Sequence, residues 1–193
     1  MERLPFGESW LRDEQIVRFE CGPEEWSQYV ADWIRAPADR LFDSALYALQ
    51  RGTSVWIYRL KITKEIVGYA SLGVSKWNKK PIQLIPAFAV ATAFQGQPKD
   101  VDSRERFSSR IFRDVLREAY RLSEGENPRA KLIGLFVHSN NQRGRIFYER
   151  HRFVAAPNEV NNGLQMARLL TPDDGAVPPI PTAEVKPGTD GTG

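Results

Sequence analysis

Apolar residues recur at helical spacing in two long stretches of the chain. Residues 39–50 predict an amphipathic helix. Its apolar side consists of Leu41, Phe42, Ala45, Leu46 and Leu49. A longer helix is predicted over residues 104–122, with Phe107, Ile111 and Leu116 facing a core and arginines on its other faces. Shorter helices are predicted at residues 23–29 and 143–151.

Between these helices the pattern changes to that of β-strands. Residues 54–62 and 65–74 predict two strands joined by a tight turn. Residues 82–92 form a longer apolar run that is typical of a central strand, yet Pro86 stands in its middle. Because proline has no N–H to donate to a neighbouring strand, we predict a bulge or a local split of the sheet there. Two further strands are predicted at residues 131–139 and 163–170.

The order of these elements indicates one α/β domain. Its sheet is predicted to be mixed, antiparallel at first and then continued across a helix. We expect this domain to cover residues 1–170. The last segment, 171–193, is rich in Pro, Gly and Thr and poor in large apolar side chains, so it is predicted to be disordered.

Composition narrows the classes of function. Cys21 is the only cysteine, which excludes an internal disulfide and argues against a cysteine-based zinc site; we expect no metal. The chain has no run of 18 apolar residues and no apolar signal core near its start, so we expect no membrane span and a cytoplasmic location. The net charge is +3, with −3 in residues 171–193 and +6 in residues 1–170. A basic domain suits either an anionic partner or ordinary solubility.

A motif near the second half of the chain points to a known family. Residues 141–153 read N-x-x-G-x-x-F-Y-E-x-x-x-F. This resembles the N-x-x-A-x-x-F-Y-E-x-x-G-F of the GNAT superfamily of acetyl-CoA-dependent N-acetyltransferases, with Gly144 for alanine and Arg152 for glycine. The likeness covers roughly residues 15–170. It implies a mixed sheet split at the cofactor-binding strand and flanked by helices.

A narrower likeness is to the GNAT toxins of bacterial toxin–antitoxin pairs. The segments that carry it are FECG at 19–22, RGTS at 51–54, IP at 85–86, FAV at 88–90 and QG at 95–96. Such toxins acetylate the α-amine of aminoacyl-tRNA. The resemblance therefore implies acetyl-CoA as co-substrate, aminoacyl-tRNA as acceptor, an antitoxin as protein partner and pairing of two domains as a homodimer.

The pyrophosphate loop departs from the toxin pattern. The family uses glycines there, which let backbone N–H groups approach the phosphates at a helix N-terminus. Here an insertion at 98–105 follows the start of the loop, and neither later glycine is present. We predict an altered but working loop in which hydroxyl and guanidinium groups replace part of the backbone cradle. Its cofactor-binding residues are predicted to be Gln95, Gly96, Gln97, Arg106, Ser108 and Ser109.

The resemblance also assigns the chemistry of acetyl transfer. Backbone N–H groups of Phe88, Ala89 and Val90 would polarise the thioester carbonyl. Tyr148 is predicted to be the general acid that protonates the leaving thiolate, and Asn141 to hydrogen-bond the cofactor. An α-amine has a pKa near 8 and is partly neutral without a strong base.

Other interpretations stay open at this stage. His138 and His151 are candidate bases, although a lone histidine is more often a surface or strand-end residue. Cys21 has no accompanying pattern for a nucleophile. The acceptor amine can also belong to a small molecule or a protein. A third hypothesis is a GNAT-fold binding module that has lost its cofactor, which the glycine-poor loop suggests.

Overall fold

A computed structural model describes residues 1–36, 44–77, 79–98, 105–125, 130–160 and 162–182. The strands are β1 Glu2–Pro5, β2 Ser54–Arg59, β3 Ile66–Trp77, β4 Lys80–Ile85, β5 Phe88–Val90, β6 Leu132–His138, β7 Val154–Val160 and β8 Gly163–Leu169. The helices are α1 Glu14–Val17, α2 Glu25–Arg35, α3 Ala45–Gln50, α4 Phe107–Ser123, α5 Gln142–Arg150 and α6 Pro172–Gly175, with 3-10 turns at Glu8–Arg12 and Thr92–Phe94. This is the mixed α/β class that the sequence predicts.

The sheet splits where Pro86 interrupts the apolar run. The strand order is β1-β2-β3-β4-β6-β8-β7, and β5 pairs with β3 alone among the described strands. Strand β4 pairs antiparallel with β3 and parallel with β6, and this second pairing ends at Ile85 and Leu135. Beyond that point β5 and β6 diverge. The split of the sheet predicted at Pro86 is therefore confirmed.

Two small residues on β3 hold β5 in place after the split. The buried hydroxyl of Ser71 accepts a hydrogen bond of 2.8 Å from the N–H of Ala87 and donates one of 3.0 Å to the carbonyl of the same residue. Gly68 lets the two strands approach closely, because a Cβ there would lie 2.3 Å from the carbonyl oxygen of Ala89. The Ser71 hydroxyl and the close approach at Gly68 therefore hold the displaced β5 against β3.

Helices cover the sheet on both faces. On one face α4 and α5 pack on a cluster that includes Phe112, Leu135 and Met166. On the other face α1, α2 and α3 pack on a separate cluster, in which Tyr69 stacks on Trp33 with ring centroids 5.9 Å apart. Burial of these apolar side chains is the main force that holds the layers together.

Several predicted boundaries shift in the structure. Of the helix predicted at 39–50, the described part begins at Ala45, where the Ser44 hydroxyl accepts a hydrogen bond from the N–H of Tyr47; residues 37–43 lie outside the described residues. Strands β1 and β7 were not predicted, since β1 has only four residues and a proline interrupts β7. The long helix begins at Phe107 rather than 104.

The prediction that the chain is disordered from residue 171 onward is wrong for residues 171–182. Helix α6 lies in this segment, and the side chains of Val177 and Ile180 are buried, with 6% and 2% of their surface exposed. The N–H of Ile180 donates to the Asp114 carboxylate at 2.9 Å. Two buried apolar side chains and a hydrogen bond to a buried carboxylate are among the contacts that order this segment, although its composition is typical of disorder. Residues 183–193 lie outside the described part.

Arg152 occupies the position where the resembled motif has glycine, and its backbone is left-handed with φ of +66°. We predict that Arg152→Gly stabilises the protein by about 1 kcal/mol, because a side chain is disfavoured in this region of backbone space. Urea denaturation measures the change. Arg150→Gly is the matched control, since Arg150 ends helix α5 and glycine there costs up to about 1 kcal/mol. Equal losses in both variants would contradict the prediction.

Candidate active site

Because β5 and β6 diverge, some backbone N–H groups of β5 point into the gap between the two strands. The N–H of Ala91 donates to Val67 at 2.8 Å, and the N–H of Ser71 donates to Ala87 at 3.0 Å. Because successive residues of a strand direct their groups to opposite edges, the N–H groups of Phe88 and Val90 point away from β3. They face the gap toward β6. Ala89, by contrast, pairs with Tyr69 on β3, so its N–H is not directed at the gap.

The first residues of the loop after β5 form a fixed turn. The side-chain amide of Gln95 donates to the carbonyl oxygens of Cys21, at 2.5 Å, and Val90, at 3.0 Å. Its role in the structure is therefore to tie the loop to the chain before α2. Gly96 has φ of +74°, and a Cβ there would have no atom within 4 Å, so its backbone is open on that side.

The insertion is closed at its base. Pro98 and Arg106 form an isolated antiparallel bridge, and the N–H of Phe107 donates to the carbonyl of Gln97 at 3.3 Å. The loop thus returns to the start of α4 at the place where a loop without the insertion would join it. Residues 99–104 lie outside the described residues.

The first turn of α4 lies directly after this bridge. Arg106 is its N-cap residue and makes no capping hydrogen bond with its exposed side chain. The N–H groups of Ser108 and Ser109 have no acceptor inside the helix, because the first turn of any helix lacks one. Together with the helix dipole they favour an anion at this end of α4.

Tyr148 and Asn141 occupy the two ends of α5. Asn141 is the N-cap, and its side-chain oxygen accepts a hydrogen bond of 2.8 Å from the N–H of Gly144. A Cβ on residue 144 would lie 2.8 Å from the Asn141 amide, so glycine leaves this cap undisturbed. Tyr148 packs with its ring 5.4 Å from that of Phe112, and burial raises the pKa of its phenol. The phenol therefore stays protonated at neutral pH, as a proton donor must.

An aromatic cluster joins β5, α4 and α5 beside the split. The ring of Phe88 stacks on that of Phe147 at 5.7 Å and meets Phe112 edge-on at 5.2 Å. Phe147 in turn contacts Tyr148 at 5.3 Å. The strand that presents the free N–H groups and the helix that presents the phenol are thus held together by ring contacts. The structure brings Phe88, Val90 and Tyr148 to one wall of the split.

The remaining candidates of the sequence occupy other places. His151 lies between the rings of Phe112 and Phe147, at 4.9 and 4.8 Å, and burial lowers its pKa to about 4. Burial raises the pKa of the Cys21 thiol to about 11, which disfavours a nucleophilic thiolate. His138 ends β6 and stacks on Trp26 of α2 with ring centroids 5.1 Å apart.

The buried His151 predicts a dependence of stability on acid. Its pKa is about 4 in the folded protein against an ordinary value of 6.5, so between these pH values the unfolded chain binds a proton that the native protein does not. Stability is therefore fully present above pH 6.5 and is lost as the pH falls toward 4. His151→Phe should remove about 1 to 2 kcal/mol of the loss between pH 7 and pH 5. Denaturant unfolding at both pH values measures it, and an identical loss in wild type and variant would contradict it.

Ser71 and Gly68 belong to the residues that the sequence analysis missed. Both position β5, and neither touches the gap itself. The only signal in the sequence is the interruption of an apolar strand by a glycine and a serine. Trp26 was also missed as a neighbour of His138, because the two lie on distant segments of the chain.

The sheet splits beside a central strand, α4 begins after the loop that follows β5, and α5 with Tyr148 lies along the gap. This arrangement is that of the GNAT fold of N-acetyltransferases. Solved structures with this fold are similar to the chain. A GNAT-family acetyltransferase from Staphylococcus aureus Mu50 is 13% identical, over 88% of this chain and 99% of that chain, with a TM-score of 0.58.

Two further structures are of the toxin AtaT. One, with a tyrosine replaced by phenylalanine, is bound to the C-terminus of the antitoxin AtaR and to acetyl-CoA; it is 17% identical over 84% of this chain and 90% of that chain, with a TM-score of 0.56. The other is complexed with acetyl-methionyl-tRNAfMet; it is 17% identical over 78% and 85%, with a TM-score of 0.51. No protein-family model and no curated protein matches the sequence.

The described residues show neither a membrane-spanning helix nor a metal-binding cluster. None of the described helices is long and apolar enough to cross a membrane. Within the same ranges of the chain, no group of three or more His, Cys, Asp or Glu side chains is arranged to hold a metal ion.

Proposed function

We propose that the protein transfers an acetyl group from acetyl-CoA to a primary amine. The observation that carries this proposal is the split between β5 and β6, into which the N–H groups of Phe88 and Val90 are turned. Two donors in a gap lined by aromatic side chains favour the oxyanion that forms as an amine adds to a thioester. Acetyl-CoA supplies the activated acetyl group.

Three parts of the chain would hold acetyl-CoA. The free edge of β5 would bond the pantetheine arm. The open backbone at Gly96 and the N–H groups of Ser108 and Ser109 would hold the pyrophosphate, with Arg106 beside them as a cation. Gln95 would act by fixing the loop, since its amide already bonds Cys21 and Val90. Asn141 would cap α5 and so orient the helix that carries Tyr148.

The reaction balances with the groups in place. The neutral amine forms a bond to the thioester carbon, and the carbon–sulfur bond breaks as the carbonyl re-forms. The amine nitrogen loses a proton to water, and the departing thiolate gains one from the phenol of Tyr148. The phenolate of Tyr148 then regains a proton from water. Because burial raises the pKa of that phenol, Tyr148 serves as the acid and not as the base of the reaction.

We further propose aminoacyl-tRNA as the acceptor. Two features support this: the toxin-like segments of the sequence, and the similarity to AtaT in complex with acetyl-methionyl-tRNAfMet. The net positive charge of +3 is compatible with an RNA partner. A small antitoxin protein would then bind the same molecule, as AtaR binds AtaT. Pairing of two copies stays a proposal that rests on the resemblance alone.

The first test is a calorimetric titration with acetyl-CoA at moderate salt, which screens non-specific attraction. We expect one-to-one binding in the micromolar range. Gly96→Val is the informative variant, because a branched side chain at positive φ distorts the loop. Gly7→Ala is the control, because a Cβ at residue 7 has no neighbour within 4 Å.

The second test is acetylation of aminoacyl-tRNA with radiolabelled acetyl-CoA, with free amines and a lysine peptide as alternative acceptors. Labelled N-acetyl-aminoacyl-tRNA would support the toxin-type reaction. Preference for a small or protein amine would leave the acetyltransferase proposal intact and replace the acceptor. Absence of acetyl-CoA binding up to millimolar concentration would refute the enzyme and favour a binding module.

A further inference from the structure

The stacked pair of His138 and Trp26 lies on the side of the split opposite to Tyr148. Trp26 belongs to α2, whose residues Ala31 and Ile34 share a core cluster with Ala89 of β5. Phe147 and Tyr148 pack instead on the cluster of the other face. Helix α2 therefore reaches from β5 to the end of β6 across the gap, on the face that α4 and α5 leave open.

His138 is level with the strand that carries the proposed oxyanion donors. The parallel register of β4 and β6 sets Leu84 beside Gly134 and Ile85 beside Leu135. The chain gains one residue at the split, because β3 pairs with β4 and with β5 in registers that differ by one. Continued across the split with this shift, the register places Ala89, between Phe88 and Val90, opposite His138. The two residues thus mark the same depth in the gap, one on each of its walls.

The hydrogen bonds of His138 fix the form of its imidazole. The backbone N–H of Asn140 donates to Nδ1 at 3.2 Å. An N–H group only donates, so Nδ1 carries the lone pair and the neutral ring carries its proton on Nε2. The Trp26 indole, at an angle of 18° to the imidazole plane, holds the ring in this orientation. In this tautomer Nε2 of His138 can donate a hydrogen bond and cannot accept a proton.

We propose that His138 binds the acceptor by donating from Nε2 to the carbonyl oxygen next to the amine. This inference rests on the proposed acetyltransferase function and narrows its substrate class. An α-aminoacyl group has such an oxygen two bonds beyond the carbon that bears the amine, whereas an alkylamine or the side chain of lysine has none. The site then selects α-aminoacyl acceptors by one hydrogen bond, and Trp26 is the residue that positions its donor.

The test compares two acceptors and four proteins. Phenylalaninamide has the carbonyl, and phenethylamine has the same ring and amine without it. The proteins are the wild type, His138→Phe, Trp26→Ala and Trp26→Phe. His138→Phe keeps a ring for Trp26 to stack on and removes the donor, and Trp26→Phe keeps an aromatic face.

We expect His138→Phe to lower kcat/KM for phenylalaninamide about tenfold, mainly through KM, and to leave phenethylamine within about twofold, as for the loss of one hydrogen bond. The ratio of wild type to variant for each acceptor cancels the different basicities of the two amines. Trp26→Ala should reproduce the selective loss, and Trp26→Phe should restore most of it. Binding of acetyl-CoA, measured by calorimetry, should be unchanged in all four proteins.

Three outcomes would overturn the inference. One is an equal loss for both acceptors in His138→Phe. Another is a wild type that does not prefer phenylalaninamide. The third is a ¹⁵N spectrum of the imidazole that places the proton on Nδ1. If acetyl-CoA binds and phenethylamine is acetylated while any of these holds, the acetyltransferase proposal stands without the inference. If acetyl-CoA does not bind, both fail.

Discussion

Tyr148→Phe is expected to lower the turnover number at least about 100-fold, because general acid catalysis by a positioned side chain contributes about 10² to 10⁴. The ring stays within its contacts with Phe112 and Phe147, so only the hydroxyl is removed. Acetyl-CoA affinity and the unfolding midpoint should remain close to those of the wild type. Steady-state kinetics with an amine that the wild type acetylates gives the turnover number. Titration calorimetry gives the acetyl-CoA affinity, and denaturation gives the unfolding midpoint.

Tyr120→Phe is the matched control for this variant. Tyr120 is also on a helix of the same face, and it packs beside Gly175, far along α4 from the split. Its loss of a hydroxyl should leave turnover unchanged. The pH profile adds a second check: since burial raises the pKa of Tyr148, activity should rise with deprotonation of the amine and show no fall from this phenol below about pH 10. Full turnover in Tyr148→Phe would remove the assignment.

Asp114→Asn is expected to destabilise the protein by about 3 kcal/mol, since it removes a charge on which buried cations depend. The Asp114 side chain is fully buried; Arg3 donates to it at 3.1 Å, and Tyr58 donates at 3.1 Å. Arg117 lies 3.7 Å away. Glu118 is 3.9 Å from Arg3 and keeps part of the compensation, so the loss falls at the low end of the range for a broken buried pair.

The same variant should loosen the C-terminal segment, because the other oxygen of Asp114 accepts from the N–H of Ile180. We expect the melting temperature to fall by roughly 6–12 °C and amide exchange to increase at 180–182. Asp32→Asn is the control: its carboxylate is more than half exposed in its ion pair with Arg35, and such pairs contribute about 0 to 1 kcal/mol. Equal melting temperatures for both variants would show that the buried network carries no net stability.

Much of the fold follows from local patterns. The period of apolar residues located α4 and β6, because a long amphipathic helix and a buried strand leave strong signals over their whole lengths. Pro86 predicted a bulge or a split of the sheet, since a missing N–H cannot pair with a neighbouring strand. The motif at 141–153 gave the short helix and the tyrosine on it. All of these depend on residues close together in the chain.

Short-range reasoning failed where distant residues supply the stabilising contact. The segment 171–182 has too few apolar residues to order itself, but Val177 and Ile180 find buried positions beside α4. Strand β1 consists of only four residues and forms through its pairing with β2. The composition of a segment gives the number of its own apolar residues. It does not show which buried positions and partner strands the rest of the fold provides.

The sequence by itself determined the class of the fold, the place where the sheet opens and the tyrosine beside it. Only the tertiary structure decided which groups face the gap: the N–H groups of Phe88 and Val90 do, and that of Ala89 does not. It also decided that the side-chain amide of Gln95 donates to the carbonyls of Cys21 and Val90. It also set His138 against Trp26. The physical reason is that the direction of a backbone or side-chain group depends on strand register and on partners remote in the chain, which no local pattern encodes.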